Sequence, residues 1–432
     1  MGRSFAAVVV LMQLVGQTAA LRCQQLSGFD RQRGRTMLHQ VQQAIERQYY
    51  DSALNGIALA DTAAVLEARI QQATSLADVF AAVAKLALTL NDSHTFFVPP
   101  QQTVRADYGW DMLMIGDSCY VARVKDQSDA ARQGVTAGDQ VLAVNGYRRT
   151  RQNIWLLRYL FRLLRPQQSL HVVLQSPNGT RRELDLAAKV TERKLVFDLV
   201  QGDDLARLIR EEENEARERQ WVQVEIDDAV VWKLPTFALS SSEIRNAWKH
   251  VRGHKALVLD LRGDAGGSEW ALQALLGQLS SADLQIGTLH ERHKQTPLIA
   301  KGSGADAFTG SLVVLVDSRS ASASEVVART VQLAHRGVVV GDRTAGAVMR
   351  GRYRSLSQGV ETQIVYGVSV TEADLVMSDG GRLEGAGVVP DSLIVPTGAD
   401  LAAGRDPVLA RALAMVGVPM DPAAAGAIER RP

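Results

Sequence analysis

The chain has 432 residues, of which 46% are hydrophobic and 22% charged, with a net charge of +1. That length exceeds what one hydrophobic core usually holds, so two or three domains are expected. The near-neutral balance, without any basic block, leaves no electrostatic footprint for nucleic acid or an anionic membrane surface.

The chain opens "MGRSFAAVVVLMQLVGQTAALRC". One arginine precedes an apolar run from Phe5 to Val15, and the small residues Thr18, Ala19 and Ala20 follow. Residues 1–20 therefore read as a secretory signal peptide, which implies a periplasmic or secreted protein. A buried helix or membrane anchor is the alternative, but the apolar run is short for a bilayer span, and no later segment is apolar enough for an integral membrane domain. The two cysteines, Cys23 and Cys119, lack metal-binding spacing, and their pairing is left open.

Residues 21–102 form an N-terminal helical segment. "TMLHQVQQAIERQYY" and "DTAAVLEARIQQATSLADVFAAVAKLALTL" repeat apolar residues at helical spacing, and Pro99-Pro100 ends the pattern. Residues 103–188 form a β-rich module. Its "SCYVARV" and "QVLAVNG" read as strands, "TRQNIWLLRYLFRLL" as an amphipathic helix, and "SLHVVLQSPNGTRRELDL" as a hairpin turning at Asn178-Gly179. Residues 189–224, including "DDLARLIREEENEARER", read as a solvated helical linker. From 225 to 418, strands such as "KALVLDLRG" and "SLVVLVD" alternate with helices such as "ASEVVARTVQLAHR", the pattern of an α/β core with a buried parallel sheet. Residues 419–432 read as a flexible tail.

"DSRSASASEVVARTV" places Ser322 where a strand enters a helix. A serine there is exposed at the carboxyl end of a sheet, and the next amide, Ala323, points at whatever the serine attacks. The competing reading is a capping box, Ser322 with Glu325, with Ser320 and Ser324 solvating the turn. Upstream, "LVLDLRGDAGGSEW" ends a strand in a glycine turn whose amides can face a ligand. In "HERH", His290 and His293 fail the zinc-protease spacing and read as residues of an exposed strand.

Taken in order, "DLRGDAGG", "SASASEVVA", "VVGDRTAG" and "EGAGVVPD" resemble the carboxyl-terminal processing protease family of serine peptidases, which includes tail-specific and tricorn-type proteases. "VARVKDQSDAARQGVTAGDQVLAVNG" is similar to the PDZ domain of those proteases. The resemblance spans roughly residues 31–395. It implies a ClpP/crotonase-like α/β protease core without cofactor or metal, acting on protein or peptide substrates. It makes Ser322 the nucleophile and Gly266 and Ala323 the oxyanion donors, with Gly267 as neighbour. The PDZ-like module would take an extended peptide or free C-terminus by strand addition. Tyr108, Gly109 and Trp110 are its candidate peptide-binding residues, although "YGWDMLMIGDS" departs from the usual carboxylate loop.

The tail-specific branch uses a lysine as base. Here Ala347 stands at the lysine position, no lysine occurs after Lys301, and Arg350 and Arg352 cannot deprotonate. The resemblance to the tricorn branch instead implies His94 as base in "LNDSHTFF", steadied by Ser93 and Glu384. In isolation His94 reads as a loop residue near a helix end, and Glu384 as a turn carboxylate. A catalytically silent ligand- or peptide-binding protein on the same fold is the alternative.

Overall fold

The computed structural model describes residues 26–100, 104–192, 222–359 and 363–428. The expected signal peptide and most of the expected charged linker lie outside the described residues.

Three helices come first: α1 (Gly28–Gln48), α2 (Leu59–Gln71) and α3 (Leu76–Leu88). Ser27 and Ser75 cap α1 and α3, and in each case an aspartate three residues on returns the bond, satisfying orphan amides at both ends of the box. The chain then turns through residues 91–95 into β1 (Phe96–Val98).

The middle module follows. It comprises β2 (Val104–Asp107), β3 (Trp110–Ile115), β4 (Ser118–Val124), α4 (Asp129–Arg132), β5 (Gln140–Val144), β6 (Tyr147–Arg148), α5 (Ile154–Tyr159), β7 (Ser169–Gln175), β8 (Arg181–Ala187) and β9 (Lys189–Glu192). Its sheet runs β3-β4-β5-β7-β8, with β6 on β5, and β2 pairs with β9. Val121, Val141, Val172 and Leu174 alternate inward from their strands and give the module its own core. Cys119 is buried in that core and has no disulfide partner among the described residues. Residues 189–192, expected in the linker, form β9, which pairs antiparallel with β2 of this module.

The remaining elements are β10 (Val222–Ile226), β11 (Ala229–Lys233), α6 (Ser241–Val251), β12 (Ala256–Asp260), α7 (Glu269–Gln278), β13 (Leu284–Glu291), β14 (Gln295–Ala300), β15 (Ser311–Val316), α8 (Ala323–Leu333), β16 (Val338–Gly341), β17 (Met349–Gln358), β18 (Ile364–Met377), β19 (Ser392–Leu393), α9 (Gly398–Ala403), α10 (Pro407–Met415) and α11 (Pro422–Ile428). One sheet runs β10-β11-β12-β15-β16-β19, parallel except for the β10–β11 pair. Its central strands are apolar on both faces because helices cover both. Leu257, Leu259 and Val314 pack with α6, α7 and α8. Val258, Val313 and Leu315 pack with α10 and α11. The stretch expected as a flexible tail is thus partly structural: Ala425 and Ile428 of α11 are buried against the sheet.

A second sheet is antiparallel, β1-β18-β13-β14, with β17 also on β18. The 14-residue β18 joins two cores. Tyr366, Val368 and Val370 pack on the N-terminal helices, whereas Ala373, Leu375 and Met377 pack on the α/β core. Its middle lies beside the 91–95 turn.

The middle module docks on the α/β core through the outer edge of β3. Ser318 Oγ donates to the Met114 carbonyl at 2.6 Å. The Gly116 amide donates to Asp342 Oδ2 at 2.8 Å, and Arg151 bridges Asp342 at 2.5 Å and the Gly116 carbonyl at 2.8 Å. The Met112 carbonyl accepts from Arg158 within the module. Asp111 lies against Arg158, Arg162 and Arg319 at 3.1–3.4 Å. Burial alone would raise its carboxyl, but those guanidinium groups outweigh burial and hold it at about 2. Replacing Asp342 with Ala removes the acceptor from a nearly buried arginine and from an amide. Urea unfolding is expected to show a loss of about 3 kcal/mol, and unchanged stability would show that this contact does not hold the module in place.

Candidate active site

The β15–α8 turn presents Ser322 half-buried, while Ser320 and Ser324 beside it are buried. The flanking hydroxyls are committed to the fold. Ser320 Oγ donates to the Leu261 carbonyl at 2.8 Å, and Ser324 Oγ to the Asp264 carbonyl at 3.0 Å. They lock this turn to the glycine turn after β12, as does Asp317, whose Oδ1 accepts from the Gly263 amide at 2.9 Å. The alternation of serine with alanine thus has a physical basis: two serines face inward as anchors and the middle one faces out.

Ser322 has φ 57° and ψ −117°, a combination that side chains with a Cβ rarely adopt. Its hydroxyl lies toward the Glu325 amide in capping-box fashion but makes no capping hydrogen bond, and that amide is taken by Ser322's own carbonyl at 3.0 Å. Gly266 packs directly on this turn: a Cβ there would lie 2.6 Å from Ser322 Cβ, so only glycine fits.

The two expected oxyanion donors, Gly266 and Ala323, differ in how their amides are engaged. The Gly266 amide donates to Asp264 Oδ1 at 2.7 Å, and Gly266 is buried. Its neighbour Gly267 is exposed, and among the described residues its amide makes no hydrogen bond; the Ala323 amide at the start of α8 is likewise unpaired. Which of the two adjacent glycine amides is engaged depends on how Asp264 folds back.

His94 sits in the turn before β1. Ser93 Oγ donates to Glu384 Oε2 at 2.9 Å and lies 2.7 Å from His94 Nδ1, and the Ser93 amide donates to Glu384 Oε1 at 2.8 Å. A carboxylate only accepts, so the Ser93 proton goes to Glu384, Nδ1 carries the imidazole proton toward Ser93 Oγ, and Nε2 is left with its lone pair. The hydrogen bonds of His94 run to Ser93 Oγ and, through its amide, to Asp92 Oδ1 at 2.9 Å; none reaches Ser322. The connection is through backbone: the Ser322 amide donates to the Ala347 carbonyl at 3.0 Å, and the next amide, Val348, donates to Glu384 Oε2 at 2.7 Å.

Sequence reasoning missed the residues that fix the histidine turn. Asp92 Oδ1 accepts from the His94 and Thr95 amides and from Thr371 Oγ1 at 2.7–2.9 Å, tying the turn to the middle of β18. Gly351 on β17 leaves room for the ring, since a Cβ there would lie 3.0 Å from His94 Cβ. Burial pushes the His94 imidazole below its ordinary value, and Asp92 only partly opposes this. Burial also pushes the Glu384 carboxyl up, against the pull of the Ser93 and Val348 donors. The expected peptide-binding residues of the middle module lie in its interior. Tyr108 and Trp110 are buried, the Tyr108 hydroxyl is held by Phe161 and Gln167, and Gly109 packs on Ser128. Lys301 is ion-paired with Asp283 at 2.6 Å, and Arg350 and Arg352 are paired with glutamates.

Residues 229–394 match the description "Peptidase family S41". The α/β core of this chain is therefore similar to that peptidase family. It is similar to the tail-specific protease of Haemophilus influenzae, 25% identical over 187 residues, which are 43% of this chain and 26% of that protein. It is also similar to the chloroplastic C-terminal processing peptidase of Tetradesmus obliquus, 26% identical over 371 residues, 82% of this chain and 75% of that protein. The chain thus spans about a quarter of the length of the first relative and three quarters of the second. Among solved structures it resembles mature CPAF, with a TM-score of 0.65 and 16% identity over 87% of this chain and 94% of that one, a likeness of fold.

The strained Ser322 backbone gives a direct expectation. Ser322→Ala keeps the strain and Ser322→Gly removes it, so the glycine variant should be the more stable by about 1 kcal/mol. Equal or reversed thermal midpoints would contradict the backbone geometry. By contrast, Ser320→Ala and Ser324→Ala each lose a buried hydrogen bond and should cost about 1 kcal/mol.

Proposed function

We infer that this protein is an exported serine endopeptidase that cleaves protein or peptide substrates through an acyl-enzyme on Ser322, with His94 as base. The observation that carries this reading is the chain Glu384–Ser93–His94, whose polarity leaves Nε2 free to accept a proton. Nε2 takes the Ser322 proton as Oγ attacks the substrate carbonyl. The tetrahedral oxyanion forms opposite the Ala323 and Gly267 amides, and the imidazolium charge is balanced through Ser93 by Glu384. His94 then returns the proton to the departing amine, and water repeats the sequence on the acyl-enzyme. The separation of Ser322 from His94 closes when substrate orders the site, as hydrogen bonds of this kind often tighten only in the complex. Export rests on the sequence of residues 1–20. Among the described residues no helix is long and apolar enough to cross a membrane.

The middle module serves this site as a brace. With the carbonyls of Met112 and Met114 on β3, and of Gly116 just beyond it, already accepting hydrogen bonds, strand addition at that edge is opposed. Deleting residues 104–192 is therefore expected to impair cleavage of short peptides as severely as cleavage of proteins. A folded deletion variant that keeps its short-peptide rate would restore the peptide-reading role.

A fluorophosphonate probe tests the nucleophile: labelling is expected on wild type and absent in Ser322→Ala, and persistent labelling of that variant would refute the assignment. His94→Ala should lower turnover by about 10²–10⁴. Ser93→Ala should resemble Glu384→Gln, and the double variant should be no worse than either, because the two act as one unit. The base must be neutral, and burial holds its pKa down, so activity is lost as pH falls through a value below the ordinary 6.5. An acid limb above 6.5 in the pH–kcat/KM profile would contradict this.

A further inference from the structure

Glu325 lies in the first turn of α8, fully buried, three residues beyond the nucleophile. Its carboxylate accepts four hydrogen bonds. Oε1 takes Thr344 Oγ1 at 2.5 Å and the Gly346 amide at 2.7 Å; Oε2 takes the Ala347 amide at 2.8 Å and the Ser322 amide at 3.1 Å. A capping-box glutamate needs only the amide of its cap residue. Here three of the four donors come from the loop 344–347, far from the helix in sequence. None of the four donors is cationic. Burial pushes the carboxyl up to about 7, partly offset by those donors. A buried carboxylate held only by neutral donors is costly, so its retention points to a task beyond helix capping.

That loop is the one that touches both halves of the site. Ala347 holds the Ser322 amide through its carbonyl, and Val348 holds Glu384 through its amide. We propose that Glu325 is a positioning residue whose carboxylate fixes the nucleophile turn against the loop 344–348, and so sets Ser322 in register with the His94–Ser93–Glu384 relay. This inference rests on the reading of Ser322 as nucleophile. Two features support it. The Ser322 amide is shared between Glu325 and Ala347, which over-determines a backbone conformation that a serine would otherwise leave. The donors also suit a carboxyl and not an amide: however a glutamine amide is turned, its NH₂ meets at least one backbone N–H.

The test uses the full chain. Glu325→Gln is expected to fold, with native circular dichroism, and to react with the fluorophosphonate about 10²-fold more slowly, the cost of a nucleophile displaced by about an ångström. With peptide substrate the loss should fall on kcat, leaving KM within about threefold, whereas a merely structural glutamate would be rescued by its isostere. A wild-type labelling rate in Glu325→Gln overturns the proposal. Should that variant fail to fold, Thr344→Val decides. It keeps the carboxylate but removes one donor, and it should slow labelling by about tenfold; an unchanged rate overturns the proposal. An unlabelled wild type would overturn the nucleophile assignment and this inference together. A labelled wild type beside an equally reactive Glu325→Gln would remove this inference alone.

Discussion

The site depends on a few backbone groups suspended between two buried carboxylates. Residues 344–348 give amides to Glu325 on one side and to Glu384 on the other, and return one carbonyl to Ser322. Neither carboxylate reaches the other's partners, so among the described residues it is this loop that links Ser322 to the Glu384–Ser93–His94 chain by hydrogen bonds. Side chains can be exchanged by mutation, but this connection is made by main chain, whose geometry the sequence specifies only through the fold. Ala347 illustrates the point. What it contributes is its amide, to Glu325, and its carbonyl, to Ser322.

Two larger features hold that loop in place. The first is β18, which belongs to two cores at once and grips the histidine turn at its midpoint through Thr371 and Asp92. The second is the cross-linking of the β12 and β15 turns by Asp317, Ser320 and Ser324. Parallel strands ending side by side put these turns at one edge, as α/β sheets generally do. The hydroxyls then convert neighbouring turns into one rigid body. His94 and Ser322, 228 positions apart, are mounted on different sheets, one on the antiparallel and the other on the parallel, and both are tied to the loop 344–348.

Much of this was readable from the chain. The alternation of apolar strands with amphipathic helices marks the α/β core, and the contiguous motifs around Asp260, Ser322 and Glu384 mark the site, because each motif packs its chemistry into a single turn. What the sequence hid was made by distant or main-chain partners. Asp92 and Thr371 are 279 residues apart, and neither residue type announces a clamp. The choice between Gly266 and Gly267 turns on one carboxylate folding back onto an amide. Tyr108 and Trp110 looked like ligand contacts because aromatic residues beside a glycine suit a binding loop equally well as a small core. The stretch 419–432 looked like a tail because alanine-rich helices carry a weak apolar signal, yet small side chains are what allow α11 to lie close against the sheet.

The covered edge of β3 has a consequence for how this chain can change over time. An uncovered edge strand is a free surface on which recombination can graft new partners and on which unwanted sheets can also grow. Here that edge is spent on Ser318, only four residues before Ser322 and 204 residues from its partner carbonyl. The middle module is therefore not an interchangeable cassette. A replacement module would have to reproduce the spacing of backbone carbonyls along one strand as well as a compatible surface, so the module and the turn beneath it are constrained to vary together.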